Sequence, residues 1–325
     1  MTAELLLQFL ADTAWDEPFF KRLSNNDTGN STGHQGGVVI PKDLRLYFPT
    51  LDEGLASAAA PTVDRKLTVE MFLAGMPVGS AIVRYQFQTW GRTRTAESRL
   101  TDNLGPIRNE ARGDDLFIMQ RSRDRLEHYR ILLVRKTDAA FSELDKLIYE
   151  RRWGVLFEGR PPLSQVELTV ARAEMLADSA QPFIPIRENV PRIPTNRKAI
   201  ARDTAFRETL LRQYRRQCSV SEIALATRSL AETEAAHIIP VACGGADEPR
   251  NGFTLTGTLH WAFDRGLFGI DTDRKVLVPA AVRAMPENKW LVQFHGKRIA
   301  EAELPGLRSA MEAFAWHREN LLIKI

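Results

Sequence analysis

The chain has 325 residues, and its 44 Lys and Arg side chains against 41 Asp and Glu give a formal net charge of +3. This length is sufficient for two domains with separate cores, and the near balance of charge excludes a strong global attraction for an anionic partner. The two cysteines, Cys218 and Cys243, form no Cys-x-x-Cys pair, which excludes a structural zinc site of that type.

The first apolar segment, residues 5–10, lies between the acidic residues Glu4 and Asp12. A signal peptide begins with basic residues, so we expect an amphipathic helix at this position instead. No apolar run in the sequence is long enough to span a bilayer. We therefore expect a cytoplasmic protein without a membrane segment.

Residues 1–175 are predicted to form an α+β domain. Residues 81–88 alternate Val83, Tyr85 and Phe87 with polar side chains, which is the period-two pattern of a half-buried strand. Similar stretches predict strands at residues 67–73, 116–120 and 129–135, and a helix near residues 138–151.

Two polar segments interrupt the predicted strands. Residues 21–41 are rich in Gly, Asn and Ser, which allow close approach to a ligand, and they contain His34 and Gln35. Residues 90–101 contain three arginines and one acid that can contact base edges: Arg92, Arg94, Arg99 and Glu97. Each segment alone is also typical of an ordinary surface loop. Together they predict base reading as well as phosphate contact.

The two segments resemble, in order and separation, the two DNA-reading loops of the EcoRII-type effector domain. That domain is a DNA-binding β-pseudobarrel with flanking helices. The resemblance implies that double-stranded DNA is the partner of residues 1–175. It also implies the residues that contact this DNA: His34, Gln35, Arg92, Arg94, Glu97 and Arg99.

A proline-rich stretch at residues 176–198 is predicted to be an extended linker, because Pro182, Pro185, Pro191 and Pro194 interrupt any helical period. A second domain, residues 199–325, then begins with a predicted helix. This first helix is predicted at residues 201–217, with Phe206 on its apolar stripe. We also expect strands near residues 267–270 and 276–278, and a closing helix at residues 307–322.

The second domain contains a spaced set of polar residues. His237 ends a short apolar strand before Pro240, and Asn251 follows it by a loop. Residues 256–264 have the apolar spacing of a helix that places His260 and Asp264 on one face. A histidine that titrates near neutrality can take a proton from water, and two ligand-type side chains on one face can hold a divalent cation. Taken singly, such residues are more often core histidines or surface pairs.

Jointly, these residues resemble the HNH nuclease motif, a ββα-metal unit that hydrolyses phosphodiester bonds. The resemblance implies that His237 is the general base and that Asn251 braces the loop. It implies that His260 and Asp264 hold a divalent ion, for which we expect Mg²⁺. Many HNH nucleases have Asp or His immediately before the base, where this chain has Ala236. Glu234, on the same strand face, or a water molecule is expected to replace that ligand.

The two resemblances together imply a type II restriction endonuclease that cuts duplex DNA at or near a short site. Such an enzyme implies a cognate DNA methyltransferase acting on the same site. One HNH site attacks one strand at a time, so we expect either a homodimer on DNA or a second encounter. Two alternatives stay open: a modification-dependent DNA endonuclease, and a sequence-specific DNA-binding protein with a decayed HNH unit, which Ala236 favours.

Overall fold

The computed structural model describes residues 2–28, 36–57, 59–89, 95–186, 197–226 and 232–323. These residues divide into two compact units, Met1–Val166 and Glu167–Ile325. Each unit combines helices with β-structure, so the α+β class is confirmed. Within the described ranges, no helix has the length and apolar character that crossing a membrane requires.

The first unit is built on an eight-stranded sheet that curls into a half-barrel. In chain order its strands are β1 (Phe19–Arg22), β2 (Val38–Ile40), β3 (Thr62–Leu73), β4 (Met76–Gln88), β5 (Glu97–Thr101), β6 (Leu116–Arg121), β7 (His128–Val134) and β8 (Trp153–Val155). The spatial order is β2-β5-β4-β3-β7-β6-β1-β8. Neighbouring strands are antiparallel except β3 and β7, which run parallel. Three short helices accompany this sheet: α1 (Ala3–Leu10), α2 (Gly105–Arg108) and α3 (Phe141–Ile148).

Apolar side chains cover both faces of the central strands. On β1, Phe19 belongs to one hydrophobic cluster, in which Phe48 stacks on Tyr85 and Tyr129, and Phe20 belongs to the cluster under α1 and α3. A strand that is buried on both faces lacks the alternation of apolar and polar residues. This explains why the alternating stretch of β4 is predicted from the sequence whereas β1 is not.

The second unit begins with two helices, α4 (Gln165–Ser179) and α5 (Arg197–Gln213). They are joined by ion pairs, Arg172 with Glu208 at 2.9 Å and Arg202 with Asp178 at 2.8 Å. The compact units divide after Val166, so that nearly all of α4 lies with α5 in the second unit. Residues 187–196 of the predicted linker lie outside the described part of the chain.

Helix α5 begins and ends about one turn before the predicted range 201–217. Its end is set by the backbone, because Arg215 and Arg216 have φ angles of 54° and 58°, in the left-handed region that does not continue a right-handed helix. Phe206 and Leu210 are buried as the apolar stripe predicts.

The remaining elements of the second unit are β9 (Thr233–His237), β10 (Gly252–Thr256), α6 (Gly257–Asp264), β11 (Gly269–Ile270), β12 (Val276–Leu277), α7 (Ala280–Arg283), α8 (Lys289–Val292) and α9 (Met311–Asn320). Strands β9 and β10 pair antiparallel, with His237 opposite Gly252. Helix α6 follows β10 without a loop, and Phe263 on α6 meets Phe253 on β10 edge to face at 4.9 Å between ring centroids. The order is therefore strand, loop, strand, helix.

Candidate active site

His237 lies at the end of β9 and its imidazole has two neighbours. Its Nε2 is 2.9 Å from Oδ1 of Asp247, in the loop between β9 and β10. The ring of Phe206, on α5, is stacked on the imidazole with 4.0 Å between ring centroids. Because a carboxylate only accepts hydrogen bonds, Nε2–H donates to Asp247. In the neutral imidazole, Nδ1 is then the nitrogen that can accept a proton.

Asn251 is fully buried at the end of the same loop. Its Nδ2 donates to the carbonyl oxygens of Ile239 at 3.0 Å and Ala246 at 3.1 Å, while its Oδ1 accepts from the backbone N–H of Ile239 at 2.9 Å. These three bonds tie the two ends of the loop together. A Cβ at Gly245 would lie 1.9 Å from the Ile239 oxygen, so the backbone approaches closely there. The loop that carries Asp247 is therefore tightly constrained.

His260, on α6, lies between two carboxylates. Its Nδ1 is 2.6 Å from Oε2 of Glu234 on β9, and its Nε2 is 3.7 Å from Oδ2 of Asp264 one turn later. The hydrogen bond from His260 lowers the pKa of the Glu234 carboxyl, and partial burial raises the pKa of the Asp264 carboxyl. Nδ1–H therefore donates to Glu234, and Nε2 faces Asp264.

The donor chemistry of this site fits a divalent cation. An imidazole nitrogen and a carboxylate oxygen on one helix face are usual ligands, and a ligating histidine commonly donates its other N–H to a carboxylate. Glu234 contacts Nδ1 of His260, the ring nitrogen that faces away from Asp264. Glu234 is therefore a hydrogen-bond partner of His260 and does not replace the metal ligand that is absent at Ala236. Among the described residues, no three His, Cys, Asp or Glu side chains converge as a metal cluster.

Sequence reasoning missed two members of the site, Asp247 and Phe206. Asp247 is ten residues from its partner, and the contact depends on how the loop closes. Phe206 was assigned to the core from its helical spacing, and that spacing does not reveal that its ring covers His237.

The predicted DNA-reading residues divide into two groups. His34, Gln35, Arg92 and Arg94 lie outside the described residues. Glu97 and Arg99 lie in strand β5, where Arg99 Nε donates to Glu97 Oε1 at 2.7 Å and the Arg99 side chain is only 9% exposed. The expectation that Arg99 lies on a projecting loop is therefore corrected, because the chain returns to the sheet from Glu97 onward. Direct contact of Arg99 with a base would require this ion pair to open.

The fold brings the two predicted reading segments together. Strands β2 and β5 pair directly, with Val39 opposite Arg99. A cavity of about 360 Å³ lies beside them, and its polar lining includes Gly36 from the first segment and Thr101 from the second. The other polar residues that line this cavity are Arg84, Gln86, Asp102, Asn103 and Arg108.

Residues 218–271 match the family of HNH endonucleases. The second unit therefore contains an HNH endonuclease domain, and this match includes β9, β10 and α6 with their polar site residues, whereas Phe206 lies outside it. A comparison with curated proteins finds no match.

Two solved structures are similar to the chain. One is a modification-dependent TagI restriction endonuclease, at 13% identity and a TM-score of 0.31, covering 92% of this chain and 80% of that one. The other is the B3 domain of the UbaLAI restriction endonuclease with cognate DNA, at 16% identity and a TM-score of 0.32, covering 50% of this chain and 95% of that one. TM-scores this low do not show a shared fold.

Proposed function

We propose that this chain is a Mg²⁺-dependent endonuclease that recognises a short site in duplex DNA through its first unit and cuts with the HNH domain of its second unit. The observation that carries the cleavage part is the arrangement of His237 and His260 within residues 218–271, which match the HNH endonucleases. Each histidine has one ring nitrogen bonded to a carboxylate, which leaves the other available for chemistry.

His237 acts as the general base. Nδ1 takes the proton of the attacking water while Nε2–H stays bonded to Asp247. The water oxygen then bonds to phosphorus as the bond to the leaving oxygen breaks. Asn251 contributes by geometry, since its three backbone bonds hold the loop that separates His237 from His260.

His260 and Asp264 would hold the divalent ion, through Nε2 and a carboxylate oxygen, with phosphate oxygens and water as further ligands. A bound ion of this kind neutralises charge on the phosphate and on the leaving oxygen. Glu234 fixes the ring of His260 so that Nε2 is the ligating atom.

The first unit is proposed to read bases. In support, β2 and β5 place the two polar segments side by side, around a cavity with a polar lining. Arg92, Arg94, His34 and Gln35 are proposed to reach base edges. We propose that Glu97 and Arg99 support the second segment as an ion pair, and that they contact DNA when this pair opens.

A different function is favoured by one observation. Ala236 is fully buried where many HNH nucleases have a metal ligand, which suits a DNA-binding protein whose HNH unit has decayed. The pairing of both histidines with carboxylates favours the enzyme, because a decayed site has no reason to keep both pairs.

The deciding experiment is digestion of methylated and unmethylated plasmid by the full chain, with Mg²⁺ and again with EDTA. We expect cleavage of unmethylated plasmid with Mg²⁺ and none with EDTA. Cleavage of methylated plasmid alone would identify a modification-dependent enzyme. Binding without any cleavage would identify the decayed form. If the enzyme recognises a site, the fragments of a plasmid of known sequence will have the same ends in every digestion. If it acts as a homodimer, the cleavage rate will rise more steeply than linearly with enzyme concentration.

A further inference from the structure

Asp247 contacts the proposed general base, His237, from the loop between β9 and β10. Its Oδ1 lies 2.9 Å from Nε2 of His237, and the two side chains are only 12% and 16% exposed. A surface ion pair contributes little, but a shielded carboxylate against an imidazole fixes which ring nitrogen has the proton.

The position of Asp247 is determined by its surroundings. The carbonyl oxygen of its neighbour Ala246 accepts from Asn251 Nδ2, and its own carbonyl oxygen lies 3.4 Å from a guanidinium nitrogen of Arg202, which pairs with Asp178. The loop therefore presents this carboxylate from a backbone that is held on both sides.

The imidazole is held as well. Phe206 lies flat against one face of the His237 ring, with an angle of 14° between the ring planes. A ring that is stacked on one face and bonded at one edge has few other orientations. Carboxylate, imidazole and phenyl ring together define both the rotamer and the tautomer of His237.

We infer that Asp247 is a positioning residue of the nuclease reaction: it holds His237 in the tautomer with hydrogen on Nε2 and stabilises the imidazolium that forms when Nδ1 takes the proton of water. The inference rests on the proposed function for its catalytic consequence. Its structural part, the tautomer, is independent of whether the chain cuts DNA.

The contact between Glu234 and His260 provides an internal comparison. Both carboxylates contact one nitrogen of a histidine, but Glu234 uses Nδ1 and Asp247 uses Nε2. Removal of Glu234 is expected to weaken divalent-ion binding, whereas removal of Asp247 leaves ion binding intact and slows proton removal. The two positions can therefore be distinguished by experiment.

The test uses the full chain with Asp247→Ala and Asp247→Asn, and with the exposed Asp273→Asn as a control. Imidazole ¹⁵N spectra, with the His237 signals assigned by their loss in His237→Ala, report the tautomer. The wild type and the control are expected to show hydrogen on Nε2. Asp247→Ala is expected to show a mixture of both tautomers, because the acceptor that holds the hydrogen on Nε2 is gone, and Asp247→Asn is expected to gain the Nδ1–H form more strongly, because the asparagine amide can donate to Nε2.

Single-turnover cleavage is expected to slow at least about 10- to 100-fold in both Asp247 variants, the effect known for loss of the carboxylate behind a metal-ligating histidine, with DNA affinity and Mn²⁺ affinity unchanged. An unchanged Nε2–H tautomer in the variants, or cleavage at the wild-type rate, would overturn the inference. If the wild type cuts no DNA, the proposed function fails, and the spectra still decide the role of Asp247 in holding the ring. If Asp247→Ala unfolds, Asp247→Asn alone decides, since it preserves the side-chain shape.

Discussion

The phenyl ring of Phe206 lies against the imidazole of His237, with 4.0 Å between centroids and 14° between planes. Space for this stack comes from Gly252, which is opposite His237 across the two-stranded sheet. A Cβ at residue 252 would lie 2.6 Å from the tip of the Phe206 ring. Helix α5, which lies outside the spacing pattern of the motif, therefore contributes a side chain to the candidate active site.

Replacing Phe206 with leucine is expected to slow cleavage about tenfold, because the loss of roughly 1 kcal/mol of ring contact loosens the base. DNA affinity is expected to stay unchanged, since Phe206 is buried. Single-turnover rates and binding titrations measure the two effects. Phe294→Leu is the matched control, because Phe294 is a buried aromatic residue outside the site. Equal slowing in both variants would indicate a general loss of packing.

His237→Ala is expected to lower cleavage roughly 100- to 10,000-fold, the usual contribution of a general base. Binding of duplex DNA is expected to stay intact. His295→Ala is the control, since His295 is exposed and its Nδ1 only accepts from the Val278 backbone. A His237→Ala protein that cuts at the wild-type rate would place the base elsewhere.

The divalent site is tested by calorimetric titration of Mn²⁺ into the protein without DNA. His260→Ala is expected to abolish binding, and Asp264→Ala to weaken it, because both side chains are proposed ligands. Glu234→Gln is expected to weaken Mn²⁺ binding about 10- to 100-fold, because His260 loses the carboxylate that accepts from its Nδ1–H. Normal binding and cleavage by Asp264→Ala would reduce Asp264 to a helix-stabilising partner of His260.

The sequence predicted those parts of the fold in which local periodicity matches burial. The alternation of residues 81–88 predicts the second part of β4 but not its start at Met76, and β1, which is buried on both faces, was missed. The compact units divide after Val166, and the ion pairs between α4 and α5 join residues more than twenty positions apart. Nothing local in the sequence indicates such contacts.

The same distinction holds for the candidate site. His237, Asn251, His260 and Asp264 are predicted as site residues from their spacing, since the strand, loop and helix that separate them have characteristic lengths. Asp247 was not found, because its contact with His237 depends on the path of the loop. The environment of Arg99 was not predicted either, because the start of β5 at Glu97 was read as part of a loop.

Base recognition is tested in the full chain made inactive by His237→Ala, with a site selected from random duplexes. Arg94→Ala is expected to cost about 1 to 3 kcal/mol at that site and to change nonspecific binding little. Glu97→Ala is expected to lower the free energy of unfolding as well, because it leaves the buried Arg99 without its ion pair. If Arg94→Ala weakens all duplexes equally, the segment contacts phosphates only.

His317 links helix α9 to α6. Its ring stacks on Phe263 at 3.7 Å, and its Nε2–H donates to the Phe263 carbonyl oxygen at 3.0 Å. Burial lowers the pKa of His317 to about 4, from an ordinary value of 6.5. The folded protein therefore holds this histidine neutral in a pH range where the unfolded chain protonates it.

The sign of the pH effect follows from this difference in pKa. As the pH falls, the unfolded state binds the proton of His317 before the folded state does. The stability that neutral His317 gives the folded protein is therefore complete above the unfolded pKa and is lost as the pH falls toward the folded pKa. Lowering the pH from about 7 to about 5 should cost about 2 kcal/mol of unfolding free energy from His317 alone. His317→Gln keeps a donor for the Phe263 oxygen but cannot titrate, so it should lose correspondingly less stability over the same range. Urea unfolding of both proteins at the two pH values measures the difference, and parallel losses would show that His317 is not the titrating group.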